Sequence, residues 1–228
     1  LSPEVVERMV KAREMPRLGG SSEEITAYFS DIQGFSTFSE QLPPERLVEL
    51  LNDYLSACTD VIQAEGGTLD KYIGDAVVAM FGAPVALPGH AHHACLAALR
   101  SQARLEELRR IWRDAGSWPE PVTAMQSRIG LNTGVAVVGN MGSRVRFNYT
   151  MMGDAVNLAA RMESGAKHWG AAVMCTEATR TACEHHAPGR IVFRPLGRIV
   201  VKGRAEPVLF HEVLAEAGTL TPDAAGCV

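Results

Sequence analysis

Residues 28–36 read YFSDIQGFS, a run of strand-forming residues that ends at Asp31 and turns at a glycine. The alternation over 25–30 predicts a first strand, and the residues after Asp31 predict the start of a helix. Backbone N–H groups at a helix start have no intrahelical acceptor and suit phosphate oxygens. At this point Asp31 has two interpretations, as the cap of that helix or as a ligand of a cation.

The composition is that of one globular domain without a marked charge bias. The chain has 228 residues, 46% of them hydrophobic and 21% charged, with a net charge of −4. A nucleic-acid binder would carry a basic face, and no apolar run approaches the roughly 18 residues that span a bilayer. The five cysteines are scattered without CxxC spacing, so we expect reduced packing thiols in a cytoplasmic protein.

Three segments are expected along the chain. Residues 1–22 begin with LSPEVVERMVKAREM, which predicts a linker helix leading out of an upstream regulatory region of a longer protein. Residues 23–214 carry regular hydrophobic patterning and form the predicted globular domain. Residues 215–228 lack periodicity, which predicts a loose tail.

The globular segment mixes helix and strand patterns. Apolar spacings of three and four predict helices over 44–65 and 90–113, and GDAVNLAARMESGAK predicts a third. LDKYIGDAVVAMFG predicts a hairpin that turns at Gly74-Asp75, and SRIGLNTGVAVVGNMG predicts strand, glycine turn, strand. A short helix is predicted over 177–185, and further strands by FNYTMM, AAVMCT, IVFRPL, RIVVKG and PVLFHEVL. The absence of strict βαβ alternation indicates the α+β class.

Two acids are candidate metal ligands. Asp75 lies at the tip of the predicted hairpin, where a lone Gly-Asp pair usually marks an ordinary turn. Asp75 and Asp31 on adjacent strand ends, beside a phosphate-binding turn, would suit two Mg²⁺ ions. Mg²⁺ prefers carboxylates together with substrate phosphates.

Two polar residues lie one turn apart on the helix that follows Gly153. Asn157 and Arg161 therefore share one helix face, which is either a solvated surface or a functional one. An amide and a guanidinium near a helix N-terminus make a suitable clamp for a phosphate that gains charge.

A histidine-rich segment, HAHH at 90–93, is a weaker candidate. With His185 and His186 it has ligands for zinc, but it lacks companion cysteines at zinc-finger spacing. We expect these histidines to be polar residues at the start of a helix.

Five spaced motifs carry a family resemblance. FSDIQGF, LDKYIGDAVVAMFG, SRIGLNTG, NYTMMGDAVNLAARM and VVKG occur in the order and spacing of class III adenylyl and guanylyl cyclases, over residues 25–213. The chain resembles the catalytic domain of that family, which implies that residues 23–214 are catalytic. It also implies a ferredoxin-like, palm-type βαββαβ core with extra strands and helices, in a head-to-tail, wreath-shaped homodimer.

The resemblance implies a metal and phosphate site. Asp31 and Asp75 match two metal-binding aspartates, with the Ile32 carbonyl as a further ligand, for two Mg²⁺ ions that Mn²⁺ can replace. Arg128 matches a phosphate-contacting arginine. The turn that wraps the β- and γ-phosphates matches Ile32, Gln33, Gly34, Phe35 and Ser36.

The same resemblance implies that the partner subunit completes the site. Lys71 and Thr150 match the pair that reads the purine. Asn157 is implied to orient the ribose, Arg161 to stabilise the transition state and Lys202 to grip the terminal phosphates.

The Lys71–Thr150 pair is similar to that of bacterial and soluble-type adenylyl cyclases. Lys71 can donate to adenine N1, and the Thr150 hydroxyl can accept from the N6 amine. Guanine presents O6 and a protonated N1, and guanylyl cyclases usually hold glutamate at the Lys71 position. ATP is therefore the expected substrate. A hydroxyl can also donate, so guanylyl cyclase activity is the alternative.

The implied reaction converts ATP to 3′,5′-cyclic AMP and pyrophosphate by two-metal-assisted, in-line attack of the ribose 3′-hydroxyl on the α-phosphate. No side chain in the motifs stands out as a general base. A catalytically silent nucleotide-binding module is a further alternative, but such modules typically lose one of the aspartates, the asparagine or the arginine. The expected partners are ATP, a second copy of the chain and an upstream regulatory domain; we expect no nucleic-acid partner and no direct membrane contact of this segment.

Overall fold

A computed structural model describes residues 18–143, 145–199 and 207–219, which form one mixed sheet flanked by helices. The strands are β1 (Gly19–Ile32), β2 (Thr68–Ile73), β3 (Ala76–Phe81), β4 (Ser127–Gly142), β5 (Phe147–Met152), β6 (Val173–Thr176), β7 (Ile191–Ile199) and β8 (Val208–Glu216). The helices are α1 (Phe35–Ser39), α2 (Pro44–Ala64), α3 (His90–Ala115), α4 (Glu120–Thr123), α5 (Asp154–Trp169) and α6 (Glu177–His186).

The sheet is built around the long antiparallel pair of β1 and β4, which runs from Gly19 opposite Asn140 to Ile32 opposite Ser127. The strand order is β2-β3-β1-β4-β6-β8-β7, and β5 pairs with the second half of β4. The pair β4–β6 is parallel and the other pairs are antiparallel. The order β2-β3-β1-β4, with helices after β1 and β3, confirms the predicted α+β, ferredoxin-like βαββαβ core.

The two faces of the sheet carry different helices. Strand alternation sends Tyr28 and Ile32 of β1 into the core formed with α2 and α3, whereas Ile25 and Ala27 face the core formed with α5. The same alternation places Asp31 on the α5 face. The end of β1 therefore presents an acid towards helix α5, on the side of Glu163.

The glycine turn predicted inside β4 is wrong. β4 is one strand of 16 residues, and Gly134 pairs in register with Ile25 of β1. The glycines of this strand permit close approach instead of a turn. A Cβ at Gly130 would lie 2.1 Å from the backbone nitrogen of Glu163 in α5, and one at Gly139 would lie 2.1 Å from the Gly19 carbonyl oxygen. A sequence pattern does not separate these two uses of glycine.

Two strand boundaries also differ from the prediction. β1 begins at Gly19, so residues 19–22 pair in the sheet instead of belonging to the predicted linker. The predicted break between IVFRPL and RIVVKG is a register shift between Pro195 and Gly197 inside β7. The remainder of the predicted N-terminal helix and of the C-terminal tail lies outside the described residues, and the division into three segments stays a prediction.

The structure shows the state of four cysteines and the character of the helices. Cys58, Cys95, Cys175 and Cys183 are free and buried, in the packing role predicted for them, and Cys227 lies outside the described residues. In the described part of the chain, no helix combines the length and the apolar character needed to cross a bilayer.

Candidate active site

The structure brings Asp31 and Asp75 together; we call them the carboxylate pair. Asp31 is the last residue but one of β1, and Asp75 lies in the two-residue turn between β2 and β3. The Ile32 backbone N–H donates to Asp75 Oδ2 at 3.0 Å. Burial and the adjacent Asp31 carboxylate raise the pKa of Asp75 to about 7, against the opposing Ile32 N–H. Two like charges are thus held side by side at the end of the central strands.

A cation suits this arrangement. Carboxylate oxygens are ligands that Mg²⁺ prefers, and Mg²⁺ usually takes only one or two of them before substrate phosphates and water complete its shell. Within residues 18–143, 145–199 and 207–219, no group of three or more His, Cys, Asp or Glu side chains is arranged to hold a metal ion. The two carboxylates of the pair match the number of protein ligands that Mg²⁺ usually takes.

Arg128 and Glu163 lie beside Asp31 of the carboxylate pair. Arg128 lies directly opposite Asp31 in the β1–β4 register, and its Nε donates to Glu163 Oε1 at 3.2 Å. Burial raises the pKa of Glu163; Arg128 acts against that rise and the Asp31 charge adds to it. Glu163 approaches because Gly130 lets α5 pack directly against β4. This third carboxylate was missed from the sequence, where only its position two residues after Arg161 marks it.

The predicted phosphate-binding turn runs from Ile32 into α1. Gly34 has φ 66°, a left-handed conformation, and helix α1 begins at the next residue. The Gln33 N–H already donates to the Gln126 carbonyl at 2.8 Å. The N–H groups left to face a phosphate are those of Gly34, Phe35 and Ser36, at the start of a short helix. A Cβ at Gly34 would meet nothing within 4 Å, so the turn has open space beside it.

A second constellation joins β2 to β5; we call Asp70, Lys71 and Thr150 the polar trio. Lys71 Nζ donates to Thr150 Oγ1 at 3.1 Å, and the Thr150 hydroxyl donates to Asp70 Oδ2 at 2.6 Å. Lys71 Nζ also lies 3.4 Å from Asp70 Oδ1. Burial raises the pKa of Asp70, while Thr150, Lys71 and the Met151 backbone N–H act to lower it. The structure therefore brings the two predicted base-reading residues into contact.

Asp70 was also missed from the sequence. Its side chain is 1% exposed, and its only signal in the sequence is an acid directly before Lys71 in a short predicted strand. A buried acid requires partners, and here they are the two residues already predicted to read the base.

Asn157 and Arg161 lie on α5, as predicted, one turn apart. Asn157 is exposed and Arg161 half-buried. The Asn157 N–H donates to the Gly153 carbonyl at 3.2 Å, which closes the first turn of the helix. Lys202 lies outside the described residues.

The histidine-rich segment packs the start of α3 against its neighbours. His90 Nδ1 lies 2.8 Å from Thr26 Oγ1 of β1, and His93 Nδ1 lies 3.4 Å from Glu65 Oε2. His92 Nδ1 lies 3.7 Å from Cys183 Sγ of α6, and burial lowers the pKa of His92. These contacts tie α3 to its neighbours in the fold.

Comparison with known proteins gives the family. Residues 19–213 match the adenylate and guanylate cyclase catalytic domain. Adenylate cyclase 1 of Rhizobium meliloti is 38% identical over 219 residues, which cover 95% of this chain and 32% of that protein. This chain spans between 9% and 38% of the length of three curated relatives that it matches.

Solved structures similar to this chain are also cyclases. The adenylyl cyclase CyaB from P. aeruginosa has a TM-score of 0.78 at 33% identity, covering 90% of this chain and 100% of that one. The guanylyl cyclase Cya2 has a TM-score of 0.77 at 32% identity, covering 89% of this chain and 97% of that one. The strand order, the carboxylate pair and the matched 19–213 segment lead to one conclusion: the chain belongs to the class III nucleotidyl cyclase family, as a catalytic domain.

Proposed function

We propose that this domain is an adenylyl cyclase, which converts ATP to 3′,5′-cyclic AMP and pyrophosphate. The observation that carries the proposal is the contact between Lys71 and Thr150. Similarity of fold alone does not choose the base, because an adenylyl cyclase and a guanylyl cyclase structure match the chain about equally well. The choice depends on the chemistry of the side chains that face the purine.

Lys71 is a donor without any acceptor capacity. Adenine N1 is an acceptor, so the Lys71 ammonium can pair with it, whereas the protonated N1 of guanine would face another donor. A buried polar group left without its partner costs about 1–3 kcal/mol, so a mismatched base is rejected strongly. Guanylyl cyclase activity is the second candidate, because an isolated threonine hydroxyl can donate as well as accept.

The carboxylate pair is the proposed metal site. Asp31, Asp75 and the Ile32 carbonyl would hold two Mg²⁺ ions, for which Mn²⁺ substitutes. When bound, these ions supply charge neutralisation of the triphosphate and activation of the ribose 3′-hydroxyl. The support from this structure is the raised pKa of Asp75, which reflects burial and the neighbouring carboxylate charge that a cation would offset.

The remaining side chains position the substrate. The N–H groups of the turn after Ile32 are proposed to hold the β- and γ-phosphates, with Arg128 and Lys202 as further phosphate contacts. Asn157 orients the ribose, and Arg161 neutralises charge that develops on the α-phosphate during attack. Positioning and charge stabilisation thus supply the catalysis.

We propose that the complete site forms between two copies of the chain. The carboxylate pair comes from one subunit, and the polar trio with Asn157 and Arg161 from the other, so a symmetric dimer holds two sites. Val135, Val137 and Met152 support this, because they expose 62%, 46% and 61% of their surface on paired strands β4 and β5. Exposed apolar patches of this kind mark interaction surfaces.

Two further proposals concern the whole protein. An upstream regulatory domain is proposed because the chain spans only part of the length of its relatives. A cytoplasmic location is proposed because the described cysteines are free and buried.

The proposed activity is tested by a side-by-side assay. The purified domain is incubated with Mg²⁺ and either ATP or GTP, and cyclic nucleotide and pyrophosphate are measured across protein concentration. We expect cyclic AMP and pyrophosphate in equal amounts, a kcat/KM for ATP at least about 100-fold above that for GTP, and a specific activity that rises with protein concentration. A preference for GTP would overturn the assignment of Lys71 and Thr150.

A further inference from the structure

Asp70 occupies an unusual place for an acid. It lies within β2, its side chain is 1% exposed, and its Oδ2 accepts the Thr150 hydroxyl proton at 2.6 Å. None of the roles described above uses it. Burying a carboxylate is unfavourable unless charged and polar partners surround it. The contacts with Lys71 and Thr150 provide such partners, which indicates a specific role for Asp70.

A β-bulge gives Asp70 and Lys71 a common target. Leu69 pairs with Ala79 of β3, but Lys71 pairs with the adjacent Val78, so β2 carries one extra residue at Asp70. In a regular strand, neighbouring side chains point to opposite faces. The bulge re-aims one of them, and both Asp70 and Lys71 contact Thr150.

The hydrogen bonds of the trio determine what Thr150 can offer to a ligand. A threonine hydroxyl has one proton and two lone pairs, and an ionised carboxylate only accepts. The Lys71 ammonium, 3.4 Å from Asp70 Oδ1, favours that ionised form. Once the Thr150 proton is donated to Asp70 and one lone pair accepts from Lys71 Nζ, the hydroxyl has only its second lone pair to present to the base.

We propose that Asp70 is a positioning residue that holds the Thr150 hydroxyl as an acceptor, and thereby makes the site specific for adenine. The N6 amine of adenine can donate to such a hydroxyl, whereas guanine O6 is an acceptor and finds no donor in that hydroxyl. This inference rests on the proposed adenylyl cyclase function. A threonine hydroxyl can either donate or accept. The hydrogen bond from Thr150 to Asp70 uses its proton, so Thr150 acts towards the base as an acceptor.

The test is the ratio of kcat/KM for ATP to that for GTP. Asp70→Asn keeps the shape of the side chain but leaves one acceptor oxygen for both Lys71 and Thr150, so the hydroxyl is no longer held as a donor to residue 70. We expect the ratio to fall by roughly five- to tenfold, the discrimination that one hydrogen bond provides. A purely structural role would lower turnover of both nucleotides by the same factor and leave the ratio unchanged.

Two variants accompany it. Asp53→Asn, at an exposed acid of α2, is the matched control and should leave the ratio unchanged. Asp70→Ala replaces Asp70→Asn if the latter does not fold, as judged by thermal unfolding, and the same fall is expected because it also removes the acceptor.

A double-mutant cycle tests whether Asp70 acts through Thr150. Thr150→Val removes the hydroxyl, and in that background Asp70→Asn should change the ratio less than twofold, because nothing remains for Asp70 to orient. If Asp70→Asn changes the ratio by the same factor with and without the Thr150 hydroxyl, Asp70 does not act through Thr150 and the inference is wrong. The two levels fail separately: a wild-type preference for GTP overturns the proposed function, whereas a wild-type preference for ATP with an unchanged ratio in Asp70→Asn overturns this inference alone.

Discussion

The carboxylate pair and the polar trio are both clusters of charged side chains on the β2–β3 hairpin and its neighbours, yet they are built in opposite ways. In the carboxylate pair, two half-buried acids lie together, and burial and mutual repulsion raise the pKa of Asp75 to about 7. In the polar trio, Asp70 is opposed by the Lys71 ammonium and joined to Thr150 by a hydrogen bond of 2.6 Å. The two acids of the carboxylate pair repel each other, whereas the members of the polar trio are joined by an ion pair and two hydrogen bonds.

This difference indicates what each region needs from a ligand. The hydrogen bonds of the trio form within one chain, so the proposed binding of a base there would need little rearrangement of these side chains. The carboxylate pair gains stability only when positive charge arrives. Under the proposed function, the contacts of the trio exist before a nucleotide binds, whereas the charge of the carboxylate pair is balanced only when a cation binds.

The largest expected effect tests whether the carboxylate pair of one subunit works together with helix α5 of the other subunit. Asp31→Ala and Arg161→Ala are each expected to lose about 10³-fold or more in kcat. Mixing or co-expressing the two should restore activity, because one of the two sites in each heterodimer is then intact.

The measurement is cyclic AMP production by the mixture against each variant alone, with dimerisation followed by sedimentation. Asp31→Ala mixed with itself is the control, and it should stay inactive. Mixtures that remain inactive while both variants dimerise would show that each subunit works alone.

A smaller effect is expected from reversing the charge in the trio. Lys71→Glu introduces the residue that guanylyl cyclases usually hold, and should lower kcat/KM for ATP by about 100-fold. GTP turnover should not rise in its place, since the new carboxylate lies beside buried Asp70, a like charge. Combining Lys71→Glu with Asp70→Asn should relieve the repulsion and raise GTP turnover above that of the single variant.

Paired assays with ATP and GTP on the single and double variants check this expectation, with thermal unfolding to confirm folding. Efficient use of GTP by Lys71→Glu alone would mean that Asp70 does not constrain the neighbouring position.

Sequence patterns predicted most of the fold and part of the site. The amphipathic helices, the hairpin at Gly74 and the ferredoxin-like order follow from periodicity and turn residues, because these report local geometry. The continuous β4 did not follow, because Gly130 and Gly134 have the same one-letter signal whether a chain turns or a helix packs closely. A long-range contact decides between these cases, and a local pattern contains no long-range contact.

The same limit applies to the site. Asp31, Asp75, Lys71 and Thr150 were predicted because they lie in spaced motifs, and the structure brings the two acids together and brings Lys71 into contact with Thr150. Asp70 and Glu163 were missed because their roles depend on partners 80 and 35 residues away in the chain. A β-bulge, which redirects Asp70 and Lys71, also leaves no periodic signature in a six-residue strand.

The smallest expected effect concerns stability without metal. Asp75→Asn removes the self-repulsion, so the metal-free variant should unfold at a temperature about 2–4 °C above the wild type at pH 7.5, for roughly 1 kcal/mol after discounting for solvent screening of a half-buried group. The sign follows from linkage: the pKa of Asp75 is about 7 in the folded state against 3.8 ordinarily, so the folded protein holds a proton that the unfolded chain has lost. Wild-type stability therefore falls as pH rises from about 4 to about 7.

The difference in unfolding temperature between variant and wild type should grow over that pH range and level off above it. The measurement is thermal unfolding at pH 5, 6, 7 and 8 with chelator present. Added Mg²⁺ should narrow the difference, because it binds the wild-type pair more tightly. A difference that is independent of pH would mean that the two acids do not repel each other in the folded chain.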